Sequence, residues 1–244
     1  MSEPGLLIRS LSGRQSARNF HSFVINEIGL GVASGSFALG SILPNDAEMM
    51  DRYGVSRTVL REALKTLEAK GLVEARAKVG TRVQPRSRWN LFDRQVLFWI
   101  FHATPEPGFL DALIELRAPL ETQAAELAAR RRNAEHVRMM RYWLQQYDIS
   151  STMAEPSGLA AYEIHRLVFE ASHNPLLRSA TGLVEFAIAS TLRRMIEAGA
   201  TEFAARNADL YAALVHAIED GNPAEAVAGM HRLLRLDAET LRAV

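Results

Sequence analysis

Apolar residues recur at intervals of three and four along most of the chain, which is the spacing of amphipathic helices. The first such stretch predicts a helix over residues 19–34, whose apolar face comprises Phe20, Phe23, Val24, Ile28 and Val32. Residues 1–17 are rich in Ser, Gly and Arg and have no periodicity, so we expect a flexible tail there.

A second, short helix is predicted between Asn45 and Gly54. Asn45 has a side chain that suits an N-cap, and Glu48 three residues later completes a capping-box pattern. Gly54 suits the left-handed conformation in which many helices end. Ser56 can then cap a third helix two residues later, so a tight turn joins the two helices.

The third predicted helix, residues 56–70, has two distinct faces and stops at Gly71. Basic side chains recur on one face at Arg57, Arg61 and Lys65. The apolar face comprises Val59, Leu60, Ala63, Leu64 and Leu67. Two short extended stretches follow at residues 72–75 and 81–83, and the basic segment between them predicts a β-hairpin with a basic tip.

The rest of the chain, after a short linker at residues 85–89, is helical in pattern and rich in Ala and Leu. Breaks containing Pro or Gly separate helices predicted at about residues 91–102, 108–132, 133–150, 159–172, 175–199, 202–221 and 223–243. The predicted fold class is therefore mainly α, with an N-terminal winged helix-turn-helix that has a small β-hairpin wing and a C-terminal all-helical bundle of six to seven helices. The expected domains are a tail at 1–17, the winged helix-turn-helix at 18–85, a linker and connecting helix at 86–104, and the helical domain at 105–244.

Basic and acidic residues are unevenly distributed along the chain, although their totals are equal. Lys and Arg equal Asp and Glu in number, yet residues 1–88 carry 13 basic and 8 acidic side chains, a net charge of +5, and the remainder carries −5. A basic module indicates a polyanionic partner. The absence of cysteine excludes disulfides and thiolate sites. Because no apolar run reaches the roughly 20 residues of a membrane span and none resembles a secretory signal, we expect a cytoplasmic protein.

A winged helix-turn-helix can place the N-terminal end of its third helix in the major groove of DNA. Arg57 and Arg61 lie one turn apart, and arginine matches the O6 and N7 atoms of guanine. The alternative is an ordinary surface helix whose arginines pair with Glu62 or Glu68. The complete predicted DNA-binding set, which adds hydroxyl, backbone-contacting and wing residues, is Ser56, Arg57, Thr58, Arg61, Lys65, Lys78, Gly80 and Arg82.

The first third of the chain resembles the GntR family of bacterial regulators. The motifs that carry the resemblance are residues 43–46, 53–64, 67, 71–73 and 80–83. The resemblance implies that a dimer contacts an inverted-repeat operator through the places held by Arg57, Thr58, Arg61 and Gly80. Some members carry an arginine where this chain has Ala47, so one base contact of those members is expected to be absent.

From about residue 91 the chain resembles the all-helical effector domain of the FadR subfamily. The motifs are residues 113–117, 120–121, 124–125, 162–165, 171–177, 217–218 and 221. Residues 85–90, with 93, 96–97 and 99, resemble members that respond to sugar acids of the galactonate type. The resemblance implies that residues 105–244 bind a small-molecule effector and form a homodimer.

Many domains of this subfamily hold a divalent metal through one Asp and three His. The corresponding places in this chain hold Ala161, His165, Tyr211 and Leu233, so the resemblance implies that the usual metal site is degraded, and we expect no cofactor. An anionic effector would then need other partners. The candidates are Arg117, His165, Asn174, Arg193 and Tyr211, with Arg194 beside them.

Each effector candidate also has a structural alternative. Arg117 can form a salt bridge with Glu121 on its own helix, and His165 can be a hydrogen-bonded core histidine. Asn174 can cap the helix that follows it, and the Arg193-Arg194 pair can lie on a solvated face.

The whole pattern predicts a transcription regulator that represses by binding a DNA operator as a dimer and that a small carboxylate or sugar-acid-type metabolite modulates. A ligand-blind dimeric DNA-binding protein, whose C-terminal domain only dimerises, is the alternative. We do not expect an enzyme, because the sequence contains no Ser/His/Asp triad, phosphate loop or zincin spacing.

Overall fold

The computed structural model describes residues 5–12, 20–103, 105–205 and 207–242. Its contacts divide the chain into two compact units. One unit comprises residues 15–105, and the other comprises residues 1–14 together with residues 106–244. Within the described ranges, no helix combines the length and the apolar character that crossing a membrane requires.

The unit at residues 15–105 is a winged helix-turn-helix followed by one further helix. Its α-helices are α2 (Phe20–Ala33), α3 (Asp46–Tyr53), α4 (Arg57–Ala69) and α5 (Arg94–His102), and its strands are β1 (Val73–Arg76) and β2 (Gly80–Val83). The strands pair antiparallel from Val73 opposite Val83 to Arg76 opposite Gly80, which confirms the predicted hairpin. Helix α2 packs on both α4 and α5, around the fully buried side chains Val24, Ile28, Leu60, Leu67 and Trp99.

Side-chain caps fix the ends of the helix-turn-helix as the sequence predicts. The Oδ1 atom of Asn45 accepts a hydrogen bond from the Glu48 backbone N–H at 3.0 Å, and its Nδ2 donates to Glu48 Oε1 at 2.7 Å. Helix α3 ends at Gly54, whose φ is +63°. Ser56 Oγ accepts from the Val59 backbone N–H at 3.4 Å and so caps α4. These local bonds set the turn between α3 and α4.

Gly71 joins α4 to the wing in a place where only glycine fits. Its φ is +81°, and a Cβ there would lie 2.0 Å from the carbonyl oxygen of Arg88. Close packing of these two backbone segments holds the start of the wing against the short 3₁₀ turn at Arg86–Arg88. Helix α5 begins after that turn, at Arg94 rather than near residue 91, because Asp93 caps it by accepting from the backbone N–H groups of Gln95 and Val96.

The second unit is an all-helical bundle. Its helices are α1 (Leu6–Ser10), α6 (Pro107–Arg131), α7 (Ala134–Ile149), α8 (Ala154–Ala171), α9 (Pro175–Arg178), α10 (Thr181–Glu197), α11 (Ala208–Glu219) and α12 (Pro223–Arg242). Helix α6 packs along α12, and α8 packs against α6, α7 and α10. Helix α10 is central, since every residue from Thr181 to Leu192 is buried. Seven helices after residue 105 agree with the predicted bundle.

Three helix boundaries in this unit differ from the prediction. Helix α8 starts at Ala154 and includes the expected break at 156–158, because a proline in the first turn sacrifices no intrahelical hydrogen bond. Residues 175–199 form two helices, with the backbone N–H groups of Ser179 and Ala180 bonded three residues back between them. Helix α11 starts at Ala208, so residues 202–205 are not helical.

The described part of the expected flexible tail is ordered. Residues 6–10 form α1, which packs on α8 and α10 of the helical bundle. The other residues of the predicted tail, 1–4 and 13–17, lie outside the described ranges.

Candidate nucleic-acid interface and buried polar cluster

The outer face of α4 carries the predicted DNA-binding side chains. Arg57, Thr58, Arg61 and Lys65 are all exposed. Arg61 Nε lies 4.0 Å from Asp46 Oδ2, and Lys65 Nζ lies 2.9 Å from Glu62 Oε1. Exposed ion pairs of this kind contribute about 0–1 kcal/mol. DNA phosphates or base edges can therefore replace these acidic neighbours at small cost.

The two acidic residues that could neutralise the arginines of this helix each have another partner. Glu62 Oε1 lies 2.9 Å from Lys65 Nζ on the same helix. Glu68 Oε1 accepts a hydrogen bond from the Ala75 backbone N–H at 2.9 Å, so Glu68 ties α4 to the wing. Ser56 caps α4 through its hydroxyl oxygen, and its hydroxyl proton remains available as a donor.

The wing presents Lys78 and Gly80 at its exposed tip. Both residues have positive φ, +62° for Lys78 and +110° for Gly80. Arg82 differs from them, because it is half-buried, lies opposite Glu74 in the sheet and has a buried Nε atom with no hydrogen-bond partner in the described structure. Arg76 at the end of β1 is also exposed, and its Nε donates a hydrogen bond to Glu74 Oε2 at 2.8 Å.

Four helices of the bundle bring charged side chains together in its interior. Arg117 on α6 lies between two carboxylates, with Nε 2.5 Å from Glu121 Oε1 and Nη1 3.1 Å from Asp237 Oδ2. His165 Nδ1 lies 2.5 Å from Glu121 Oε2, and His165 Nε2 lies 3.1 Å from the Tyr211 hydroxyl. All five side chains are buried. We call these five residues the buried polar cluster.

Burial and charge oppose each other in this cluster. Burial disfavours ionised Glu121, but the charges of Arg117 and His165 outweigh it and lower the pKa of Glu121 to about 2. Burial likewise disfavours charged Arg117, yet Glu121 and Asp237 raise its pKa above the ordinary value. Burial and then the charge of Asp237 raise the pKa of Tyr211, which keeps its hydroxyl protonated. At neutral pH the charged guanidinium of Arg117 therefore lies next to the ionised carboxylate of Glu121.

Three buried atoms of the cluster have no hydrogen bond with good geometry to another described residue. Arg117 Nη2 has no hydrogen-bond partner among the described residues. Glu121 Oε2 and His165 Nδ1 are in close contact, but their geometry is not that of a hydrogen bond. Buried donors and acceptors without partners are energetically costly, so they mark places where a polar ligand can be stabilised.

The four residues that the resemblance places at a metal position include only one usual metal ligand. Ala161, His165, Tyr211 and Leu233 are all buried, and only His165 among them is a usual ligand. Its Nε2 faces the Tyr211 hydroxyl and its Nδ1 faces Glu121, so neither ring nitrogen is directed at an open coordination position. Within the described ranges, no three His, Asp or Glu side chains are grouped in a way that could hold a metal.

The structure brings three of the five effector candidates together. Arg117, His165 and Tyr211 belong to the buried polar cluster. Asn174 serves instead as the cap of α9, where its Oδ1 accepts from the backbone N–H groups of Leu176 and Leu177. Arg193 is half-buried on α10, where burial lowers its pKa and nearby Glu197 opposes that effect.

Sequence reasoning missed Asp237 and treated Glu121 only as a competing partner of Arg117. A signal for Asp237 was present in the sequence. It is the one acidic residue on the buried face of α12, which is otherwise formed by Ala226, Gly229, Met230, Leu233, Leu234 and Leu241. An acidic side chain at a core position of a helix indicates a buried cationic partner.

Comparisons with known proteins support both the winged helix-turn-helix and the helical bundle. Residues 22–83 match the model of the bacterial regulatory proteins of the gntR family, and residues 112–236 match the FCD domain. The uncharacterized HTH-type transcriptional regulator YieP of Escherichia coli is 34% identical over 186 residues, which cover 71% of this chain and 77% of that protein. The galactonate operon transcriptional repressor of Escherichia coli is 29% identical over 174 residues, covering 71% of this chain and 74% of that protein.

Solved structures support the fold. The Listeria monocytogenes protein Lar matches with a TM-score of 0.65 at 14% identity, over 93% of this chain and 98% of that one. The Escherichia coli protein McbR/YncC matches with a TM-score of 0.56 at 15% identity, over 92% and 98% of the two chains. The family and the curated relatives named above are transcription regulators and not enzymes. This chain belongs to the GntR family of DNA-binding transcription regulators, with an FCD domain as its C-terminal effector domain.

Proposed function

We propose that this protein is a dimeric repressor that binds an inverted-repeat operator and responds to a small carboxylate or sugar-acid-type metabolite. The observation that carries the DNA-binding part is the exposed basic stripe of α4, held by a capped helix-turn-helix next to a wing with an exposed lysine. Its site of action is the cytoplasm, where the bacterial chromosome lies. The 29% identical relative named as a repressor of the galactonate operon supports the sign of regulation and the ligand class.

In the proposed complex, the first turns of α4 lie in the major groove. Arg57 and Arg61 read guanine edges there, whereas Ser56, Thr58 and Lys65 contact the backbone or adjacent bases. The wing contacts the neighbouring sugar-phosphate chain through Lys78, since Gly80 beside it allows a close backbone approach. A two-fold dimer repeats these contacts on a second half-site, which requires an inverted-repeat operator.

The effector proposal rests on the mixed chemistry of the buried polar cluster. A simple monocarboxylate can accept a hydrogen bond from Arg117 Nη2, which lacks a partner in the described structure. The same ligand cannot satisfy Glu121 and Asp237, which only accept hydrogen bonds while ionised. A polyhydroxylated acid supplies a carboxylate for the guanidinium and hydroxyl donors for the carboxylates. This donor and acceptor pattern favours a sugar acid over a plain short-chain acid.

One observation favours a second candidate, the ligand-blind dimeric regulator. The side chains of Glu121 and Asp237 already contact Arg117, so its guanidinium is partly occupied before any anion binds. In that case the cluster serves only to stabilise and specify the packing of the bundle. The two candidates differ in whether any metabolite changes DNA affinity.

The test begins with the full-length protein and duplexes selected from a random pool for binding. Fluorescence anisotropy then measures release of the selected duplex on titration with galactonate, related sugar acids and short carboxylates. We expect a sugar acid to weaken DNA binding, and Tyr211→Phe to raise the concentration that is required. The matched control is Tyr142→Phe, because Tyr142 lies exposed on α7. DNA binding that no metabolite changes would establish the ligand-blind candidate, and failure to select any duplex would refute both.

A further inference from the structure

The N-terminal helix α1 is an integral part of the helical unit. Leu7 and Ile8 are buried, with 3% and 0% of their surface exposed. Helix α1 packs against α8 and α10, the two elements that it contacts most in the described structure. Five residues are far too few for a helix that is stable alone, so docking on the bundle must supply the stability of α1.

A buried carboxylate on α10 receives the backbone of α1. Glu185 is 2% exposed, and its Oε1 accepts a hydrogen bond from the Leu7 backbone N–H at 2.8 Å. The two residues are 178 positions apart in sequence, so this is a specific tertiary contact. A buried carboxylate must be hydrogen-bonded to be tolerated, and the peptide N–H of α1 meets part of that need.

The surface that receives α1 is also shaped for it. A Cβ at Gly158 on α8 would lie 2.1 Å from Leu192 Cδ1 and 3.3 Å from Ile8 Cγ2, so the missing side chain lets α8, α10 and α1 meet. A Cβ at Gly5 would lie 2.7 Å from Leu159 Cδ1, so the chain enters the contact through a second glycine, whose φ is +79°. Buried aliphatic side chains and one buried acceptor are together features of a peptide-binding groove.

We propose that the groove formed by α8 and α10, with Glu185 at its floor, is a peptide-binding site whose ligand is residues 5–12 of the same chain. The chemical requirement is a short helical segment with two adjacent large aliphatic side chains and a backbone N–H directed at the carboxylate.

The direct test uses limited trypsin digestion of the full-length protein and follows cleavage after Arg9, an exposed residue within α1. Leu7→Asp places a charge in the groove and should accelerate this cleavage about ten- to hundredfold, the range that corresponds to loss of one buried leucine side chain. Ser12→Asp adds the same charge at an exposed position of the same segment and should leave the rate within about twofold of the original. Equal rates in the original protein and Leu7→Asp would overturn the proposal.

A second measurement asks whether the groove binds the segment as a ligand. A fluorescent peptide of residues 5–12 should bind the full-length Leu7→Asp protein, whose own segment is displaced, at least about tenfold more tightly than it binds the original protein. The peptide carrying Leu7→Asp should lose this preference. A peptide that does not distinguish the two proteins would contradict the proposal. Protection of Arg9 that grows with protein concentration would assign the groove to the segment of a second copy and overturn the intrachain form.

Discussion

At the scale of single residues, the interior of the helical unit depends on the pairing of opposite charges. Arg117 contacts two carboxylates that come from different helices, and Glu121 in turn contacts His165. Removing one partner of a buried ion pair leaves the other charge uncompensated, which typically costs about 3–5 kcal/mol. The cluster therefore links the packing of α6, α8 and α12 to the protonation of a single carboxyl group.

The first prediction concerns Glu121→Gln and pH. The pKa of Glu121 is about 2 in the folded protein and about 4.3 in an unfolded chain, so ionised Glu121 stabilises the fold above pH 5. This stabilisation is lost as the pH falls towards 2. At pH 7 we expect Glu121→Gln to lower the free energy of unfolding by about 3–5 kcal/mol. The difference from the original protein should shrink steadily below pH 5.

Urea unfolding at a series of pH values checks this prediction, with Glu135→Gln as the control. Glu135 forms an exposed pair with Arg138, so its loss should cost less than about 1 kcal/mol at every pH. A Glu121→Gln deficit that stays constant from pH 7 to pH 3 would mean that this carboxyl has the same pKa in the folded and unfolded protein.

The second prediction concerns metal. Because His165 Nε2 lies 3.1 Å from the Tyr211 hydroxyl and its Nδ1 is in close contact with Glu121, protein purified without a chelator should contain well below one equivalent of any transition metal. His165→Ala should not change that content. Elemental analysis of both proteins measures the metal content. One equivalent of metal in the original protein that is absent from His165→Ala would contradict the prediction and would show that the side chains rearrange around an ion.

Residue-level predictions from the sequence succeeded where the cause is local. Asn45, Gly54 and Ser56 act within four residues of their own position, so the sequence pattern alone was enough to identify their roles. Asp237 could not be found in that way, because its partner Arg117 is 120 positions away and on another helix. The pairing depends on how α6 packs along α12, which no local pattern contains.

At the scale of elements, the joint between α4 and the wing determines where the two DNA-contacting elements lie within their unit. Glu68 bonds the wing backbone, and the Asn90 backbone N–H donates to the Lys70 carbonyl at 3.0 Å. Gly71 lies between these bonds and approaches Arg88 too closely for any side chain. The orientation of the wing relative to α4 therefore depends on one glycine.

The third prediction compares two glycines with positive φ. Gly71→Ala must displace backbone as well as adopt a left-handed conformation, so we expect a loss of more than about 3 kcal/mol in stability and weaker DNA binding. Gly54→Ala has nothing within 4 Å of the new methyl group and should cost only about 1–2 kcal/mol. Thermal unfolding of the two variants measures the difference. Equal losses would show that the contact with Arg88 relaxes without cost.

Some helix boundaries also could not be predicted from the sequence, because they depend on contacts between residues far apart in the chain. The 156–158 segment has the composition of a break, yet Gly158 lies inside α8 because close contact with Leu192 of α10 requires its small size. Helix α1 escaped prediction because five residues are too short to show periodicity and fold only against the bundle. Tertiary packing decided both cases.

At the scale of the whole molecule, the opposite net charges of the two parts of the chain assign them different partners. The fourth prediction follows from the basic N-terminal part. Lys65→Ala should weaken binding to selected and random duplexes by similar factors, because a phosphate contact carries no sequence information. It should also reduce the slope of the logarithm of affinity against the logarithm of salt concentration by about one. Titrations at several salt concentrations give this slope, and an effect confined to the selected duplex would make Lys65 a base contact.

We propose that Arg57 and Arg61 read base edges from the first turns of α4. The most direct measurement compares the affinity of Arg57→Ala and Arg61→Ala for a selected operator and for a random duplex of equal length. Each substitution should cost about 1–3 kcal/mol on the operator and much less on random DNA, so that specificity falls. Equal losses on the two duplexes, or no loss on either, would contradict the account.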